Sequence, residues 1–361
     1  MLQRKELTVL LINVIITKMV LMFPRTLISN SANAAWLQAL YNILTAFALF
    51  FIISKLYRGK KNIIELADIS GGKPLKIITG LIVFASFVIN YASIIRVFPE
   101  TIKIVLLQDF QVEFITVIFM AAIGLGAYIG IEAIARVNYL FLPVIGGIFV
   151  LFLLCLSPHY SVYNILPIFG SGAKKIFING FNTLSIFSDL LLLNIFLPYY
   201  ANNMEAERSG RRALLISSPV IILILLSYCL VYPYPVSEEF MIPIYQLARI
   251  INLGSFFSRF EAIFQFAWSV MLLLYSAIYV YALCFVWQTT FSLKYYKPLI
   301  FPVTIISGAI ALLPDSIVQL VINEKWENII VYPLAFALPV IFGFVSRKYY
   351  GARKDVINEK A

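Results

Sequence analysis

Two ionisable side chains stand where a membrane interior calls for apolar ones, and they are the strongest candidates for chemistry. Lys18 lies near the midpoint of the apolar run Leu7–Ile28 (LTVLLINVIITKMVLMFPRTLI), with Thr17 beside it and Asn13 five residues earlier. Asp189 lies in GFNTLSIFSDLLLLNIFLPYY, with Asn182, Ser185 and Ser188 close by. A helix crossing a bilayer needs roughly 20 apolar residues. A lysine or aspartate at its centre costs about 2.5–3.5 kcal/mol on insertion scales, so each needs a partner or a wet cavity. The bland alternatives are a lysine that snorkels its ammonium to an interface and a carboxylate that only packs helices. Lys18 is deep enough in its run to strain the first of these. Opposite charge and similar depth predict that Lys18 and Asp189 approach one another, directly or through a water. A zwitterion would compete for such a pair, carboxylate toward Lys18 and ammonium toward Asp189.

Other polar residues are weaker candidates. Asn90 and Tyr91, in FASFVINYASIIRVFPE, either line the same cavity or bond across helices. Arg96 and Glu100 are four apart on one helix face, a spacing that permits a structural ion pair. Arg259 and Glu261 sit at i,i+2 and do not face each other, so each needs a separate partner to fix the outer loop to the bundle. Tyr275, Tyr279 and Tyr281 read as bundle packing rather than pocket lining. The single histidine, His159, sits beside Pro158 at an outer edge and reads as an interfacial loop residue. Gly124 and Gly126 form a G-x-G that follows no strand, which suits close helix packing and not a phosphate cradle. Cys155, Cys229 and Cys284 all lie inside apolar runs and read as small packing residues. No metal site, cofactor motif or catalytic constellation emerges, so an enzyme is not expected.

The elements that position these residues are membrane helices. Of 361 residues, 61% are hydrophobic and 13% charged, with mean hydropathy +0.90. A soluble fold of this size cannot cover that much apolar surface. The runs are continuous rather than alternating, which excludes an outer-membrane barrel. Ten spans are expected, near Leu7–Ile28, Trp36–Tyr57, Ile77–Phe98, Val112–Gly130, Tyr139–Leu156, Phe177–Tyr199, Ala213–Tyr234, Phe260–Trp287, Pro298–Ile322 and Ile329–Val345. The first run is too long for the apolar region of a cleavable signal. Short connections make 1–361 a single integral membrane domain, repeat one about 7–156 and repeat two about 177–345. Lys18 and Asp189 then occupy the first span of each five-span half. Transporters with inverted repeats place broken helices there and hold substrate between the half-helix ends. The polar breaks on offer are Thr17–Met19 and Ser185–Asp189. The expected fold is therefore an all-α, 5+5 inverted-repeat bundle with broken first and sixth helices. Its expected ligand-binding set is Thr17, Lys18, Met19, Asn90, Tyr91, Ser185, Ser188 and Asp189. Two loops add to it: Asn62–Lys76, an amphipathic piece expected on the inner surface and held there by its lysines, and Ser237–Phe260, expected over the outer mouth.

The stretch PVSEEFMIPIYQLARIINLGSFFSRFEAIFQFAW, Pro235 to Trp268, resembles the spore germination permeases. So do Pro24 and Trp36 flanking the first outer loop, RVFPETI at Arg96–Ile102, GIEAIAR at Gly130–Arg136 and NILPIFGSG at Asn164–Gly172. The resemblance runs the length of the chain. It is most specific at Arg259-x-Glu261 leading to Trp268. It implies a fold similar to the amino acid–polyamine–organocation transporters. It also implies a receptor subunit for small nutrients, often amino acids, that works with A-type and lipoprotein C-type subunits in the spore inner membrane. Many relatives look small and glycine-containing where this chain has Thr17-Lys18. An amino acid transporter coupled to protons is the other function this fold accommodates. Nucleic acid is not an expected partner, because the net charge of +10 comes from basic residues lying between apolar runs.

Those basic residues set the expected orientation. With the amino terminus inside, 19 Lys and Arg fall on the inner side and 8 on the outer, so both termini are expected in the cytoplasm. Single cysteines placed at Lys60 and Arg211 are expected to react with a membrane-impermeant reagent only from the cytoplasmic side. Labelling of both from outside alone would reverse the topology.

Overall fold

The computed structural model describes residues 4–20, 23–57, 59–107, 109–252, 260–314, 319 and 333–350, and among these the chain is helical without strands. Helices α1 (Arg4–Val20) and α2 (Phe23–Ser31) together cover the first apolar run, followed by α3 (Ala35–Leu56) and the long α4 (Ile63–Val105). Next come α5 (Val112–Ile129), α6 (Ile131–Leu156) and the short α7 (Ala173–Phe177). A 3₁₀ segment, Asn179–Leu190, leads to the short α8 (Leu191–Ile195) and then α9 (Asn203–Val231). The outer loop carries α10 (Val236–Glu239) and α11 (Pro243–Ile250), and α12 (Phe260–Phe291) and α13 (Lys297–Ala311) follow. Residues 333–350 form a further helix, α14. Seven described helical stretches are long and apolar enough to cross a membrane, which makes this a multi-pass membrane protein.

The core is built around α12, the most enclosed of these stretches, which packs on α4, α5, α6, α13 and α1. Close approach is achieved by small residues. A Cβ added at Gly126 would sit 3.1 Å from Ala277 on α12, and one at Gly80 would lie 2.0 Å from the Thr290 hydroxyl. The G-x-G of α5 is thus a packing notch, as the sequence suggests. Gly130 separates α5 from α6 at φ 107°, a conformation that costs a side-chain-bearing residue dearly. The three cysteines are free, and Cys229 and Cys284 are buried.

Several expectations change in detail. The first span does not break at Thr17–Met19: α1 stays helical through Val20, and α2 begins at Phe23 with Pro24 in its first turn, where a missing N–H costs nothing. The Asn62–Lys76 piece is joined to the third span across non-helical backbone at Gly71 and Gly72. Its start is fixed by reciprocal bonds, Glu65 N–H to Asn62 Oδ1 and Asn62 N–H to Glu65 Oε2, both 2.9 Å. Ile63, Ile64, Leu66 and Ala67 are buried, so protein packing, more than lysines on lipid, holds it in place. In the outer loop, Ile244, Leu247 and Ile251 are buried and Arg249 faces outward, with α11 packed on α12 and α9. Phe256 lies outside the described residues. His159 is exposed in a short 3₁₀ turn after α6.

Gly80→Val is expected to lower the thermal midpoint of the detergent-purified protein, because overpacking costs about 1–3 kcal/mol. Gly146→Val on α6, where an added Cβ meets nothing within 4 Å, is expected to leave it unchanged. Equal midpoints for the two variants would contradict the α4–α12 packing described here.

Candidate functional site

The twelve-residue 3₁₀ segment Asn179–Leu190 is long for this geometry, which is usually confined to one turn and often marks a functional hinge. Its sequence, NGFNTLSIFSDL, explains the departure from α-helix. Gly180 weakens the helix, and Asn, Thr and Ser side chains compete for backbone groups. Thr183 Oγ1 donates to the Gly180 carbonyl at 2.7 Å. The same oxygen accepts from Gln38 Nε2 at 2.8 Å and Asn42 Nδ2 at 2.6 Å, both on α3. On α2, Asn30 Nδ2 donates to Gln38 Oε1 and to the Lys175 carbonyl, each at 2.9 Å. Amides on α2 and α3 therefore clamp the irregular segment from one side.

At the end of this segment the two buried charges meet. Lys18 Nζ lies 2.9 Å from Asp189 Oδ1, with side-chain exposures of 11% and 0%. Lys18 also donates to Ser188 Oγ at 3.2 Å. It occupies the last turn of α1, where free carbonyls favour a cation. Asp189 Oδ1 accepts from Asn90 Nδ2 of α4 at 2.9 Å and from the Tyr279 hydroxyl of α12, and Oδ2 faces the Tyr275 hydroxyl at 3.5 Å. Asn90 Nδ2 also reaches the Tyr279 oxygen at 2.8 Å. Four elements thus converge on one buried carboxylate.

Lys18, Ser188, Asp189 and Asn90 are brought together here. The other expected site residues are not all part of this cluster. Thr17 turns away: its hydroxyl donates to Asn13 Oδ1 at 2.7 Å, and Asn13 pairs with Asn138 on α6, a second buried polar network. Met19 is fully buried in the apolar core. Tyr91 stacks on Tyr279 with ring centroids 5.9 Å apart and points its hydroxyl at the Met120 sulfur, so it supports the cluster without touching the charges. Ser185 is half-buried on the 3₁₀ segment and does not join the pair. Arg96 and Glu100 form the anticipated i,i+4 ion pair at 3.0 Å. Glu261 stands in the first turn of α12, while Arg259 lies outside the described residues.

Tyr275 and Tyr279 correct the reading of these residues as packing only. A phenol in an apolar helix needs a hydrogen-bond partner, and their i,i+4 spacing puts both hydroxyls on one face toward Asp189. Gln38 and Asn42, also i,i+4, went unnoticed in the sequence for want of a charge. Toward the basic side, Tyr281 packs edge-on against Tyr296 at 5.0 Å and shares a hydroxyl contact with Tyr199. Burial, with smaller effects from Cys284 and Tyr128, pushes the Tyr296 phenol above its ordinary pKa and keeps it neutral.

A helical membrane bundle with a polar centre at an unwound segment is a transporter-like fold. The fold is similar to that of MHP1, a nucleobase–cation-symport-1 family transporter solved in a closed conformation with bromovinylhydantoin bound. That match has a TM-score of 0.65 at 15% identity and covers 94% of this chain and 79% of the transporter. Residues 1–319 match the family model described as spore germination protein, and the chain belongs to that family of spore germination permeases. No curated protein matches the sequence.

Lys18→Ala and Asp189→Ala are each expected to reduce membrane abundance and thermal stability, since an orphaned buried charge costs about 3–5 kcal/mol. The double variant is expected to recover most of that loss. Additive losses, measured by fluorescence-detected size exclusion, would mean that the two charges do not depend on each other.

Proposed function

We propose that this chain is the transporter-like subunit of a spore nutrient germinant receptor, and that it binds a small zwitterionic nutrient, an amino acid, at the Lys18–Asp189 centre. The observation that carries the reading is the buried ion pair itself, at the meeting of α1 with the unwound segment. The ligand carboxylate takes Lys18 and Ser188; the ligand ammonium takes Asp189, with Asn90 and Tyr279 holding the carboxylate in place. Binding exchanges one internal ion pair for two intermolecular ones, and this differential contact is what biases a change of shape. Tyr91 backs Tyr279 by stacking on it, and Arg96 with Glu100 and Arg259 with Glu261 serve structural roles at the outer side.

The same reading takes the bundle as ten passes in two inverted halves. Its support is the pattern of helix contacts: α3 packs on α9, α4 on α12 and α5 on α13, while α5–α12 and α4–α13 are exchanged counterparts. The protein sits in the spore inner membrane with both termini cytoplasmic, and its partners are the A-type and lipoprotein C-type subunits that the family resemblance implies. Proton-coupled amino acid transport uses the same site and is the competing outcome of the test.

The full chain in nanodiscs is expected to bind one or more radiolabelled amino acids saturably. Amines lacking the carboxylate and N-acetylated analogues are expected to fail as competitors. The Lys18→Ala/Asp189→Ala double variant is expected to fold but not bind. Accumulation of the amino acid by proteoliposomes under a proton gradient would favour transport, and absence of binding across the twenty amino acids would remove the nutrient reading.

A further inference from the structure

A second cavity opens behind the site, between α3, α8, α9 and α14, on the side that carries the basic loops. It encloses about 530 Å³ of atom-free space, counting its open mouth. Most of its wall is apolar, including Phe50, Ile53, Leu191, Leu197 and Phe336. Ser54 on its wall is satisfied by the Phe51 carbonyl at 3.0 Å, but other polar atoms there have no partner among the described residues. Among the described residues, the Tyr57 hydroxyl and both amide atoms of Asn203 are buried without a hydrogen bond. Glu207, one helical turn after Asn203 on α9, also lines the cavity; it is half-buried and forms no ion pair among the described residues. Buried polar groups are nearly always satisfied, so unmet donors and acceptors gathered at one apolar cavity call for an occupant.

From this lining we infer a binding site for a small amphiphile with a protonated amine, its ammonium on Glu207 and Asn203 Oδ1 and its alkyl chain along the Phe50, Leu197 and Phe336 wall. The sign follows from Glu207, which among the described residues is the one carboxylate in a lining without a cationic side chain. A carboxylate ligand would meet Glu207 as a like charge, and an alcohol would leave that charge unmatched. The site goes beyond the nutrient reading and does not depend on it, since it shares no residue with the Lys18–Asp189 cluster. It is nonetheless adjacent: Leu190 lines the cavity and follows Asp189 in the chain. An occupant therefore braces the segment that carries the ion pair.

The test uses the full chain in nanodiscs, its thermal midpoint titrated with n-hexylammonium chloride and, separately, with 1-hexanol and sodium hexanoate. A saturable rise is expected with the amine alone. Glu207→Gln is expected to raise the half-saturating concentration at least about tenfold, as loss of a charge-assisted hydrogen bond does, and Tyr57→Phe is expected to raise it by less. The Lys18→Ala/Asp189→Ala double variant is expected to keep the wild-type half-saturation while losing amino acid binding. An equal response to hexanol, or an amine response unaffected by both Glu207→Gln and Tyr57→Phe, overturns the site. So does an amine response lost in the double variant, which would place the ammonium on Asp189.

Discussion

A lysine and an aspartate held 2.9 Å apart inside an apolar bundle constrain nearly everything else about this protein. Neither charge is tolerable alone at that depth, and the attraction between them only offsets desolvation if the remaining donors and acceptors are met. The structure meets them from separate elements. Ser188 takes a second Lys18 proton, while Asn90, Tyr275 and Tyr279 surround the carboxylate. Where α4 and α12 cross, Asn90 and Tyr279 are delivered to the same oxygen.

The backbone around the pair follows from the same demand. An α-helix through Asn179–Leu190 would satisfy its own hydrogen bonds and leave little for neighbouring elements. The 3₁₀ segment instead leans on side chains, with Thr183 bridging its own backbone to Gln38 and Asn42. Non-helical backbone at membrane depth is tolerated where protein buries it, and here α1, α2, α3 and α7 surround it. The short α8 is buried throughout, and Leu191, Leu193 and Asn194 line the cavity beside it.

Family and fold define the class of protein but leave its task open, since one bundle can serve a carrier or a sensor. A carrier must release its ion pair on both sides of the membrane, whereas a sensor needs to do so only once, with the change read by a neighbour. The aromatic closure of Tyr199, Tyr281 and Tyr296 on the basic side is compatible with either task.

The sequence by itself determined the membrane class, the approximate places of most helices and the pairing of Lys18 with Asp189. These follow from one-dimensional quantities: hydropathy over a window, and a charge too costly to leave alone. Arg96–Glu100 was legible for a similar reason, as helix periodicity sets an i,i+4 neighbour without help from the fold. Tertiary structure alone decided which uncharged polar residues join the centre. Thr17 adjoins Lys18 in sequence yet faces Asn13, because successive residues on a helix point about 100° apart. Asn90, Tyr275 and Tyr279 reach Asp189 only because α4 and α12 cross beside it, a register set by three-dimensional packing of small residues. The position of the helix breaks was also a tertiary matter. Thr17–Met19 stays helical, with the Thr17 hydroxyl satisfied by Asn13 one turn earlier on the same helix and Lys18 by Asp189 and Ser188, whereas the 3₁₀ segment bonds partly to itself and to amides of α3, which pull it out of the α-helical ladder.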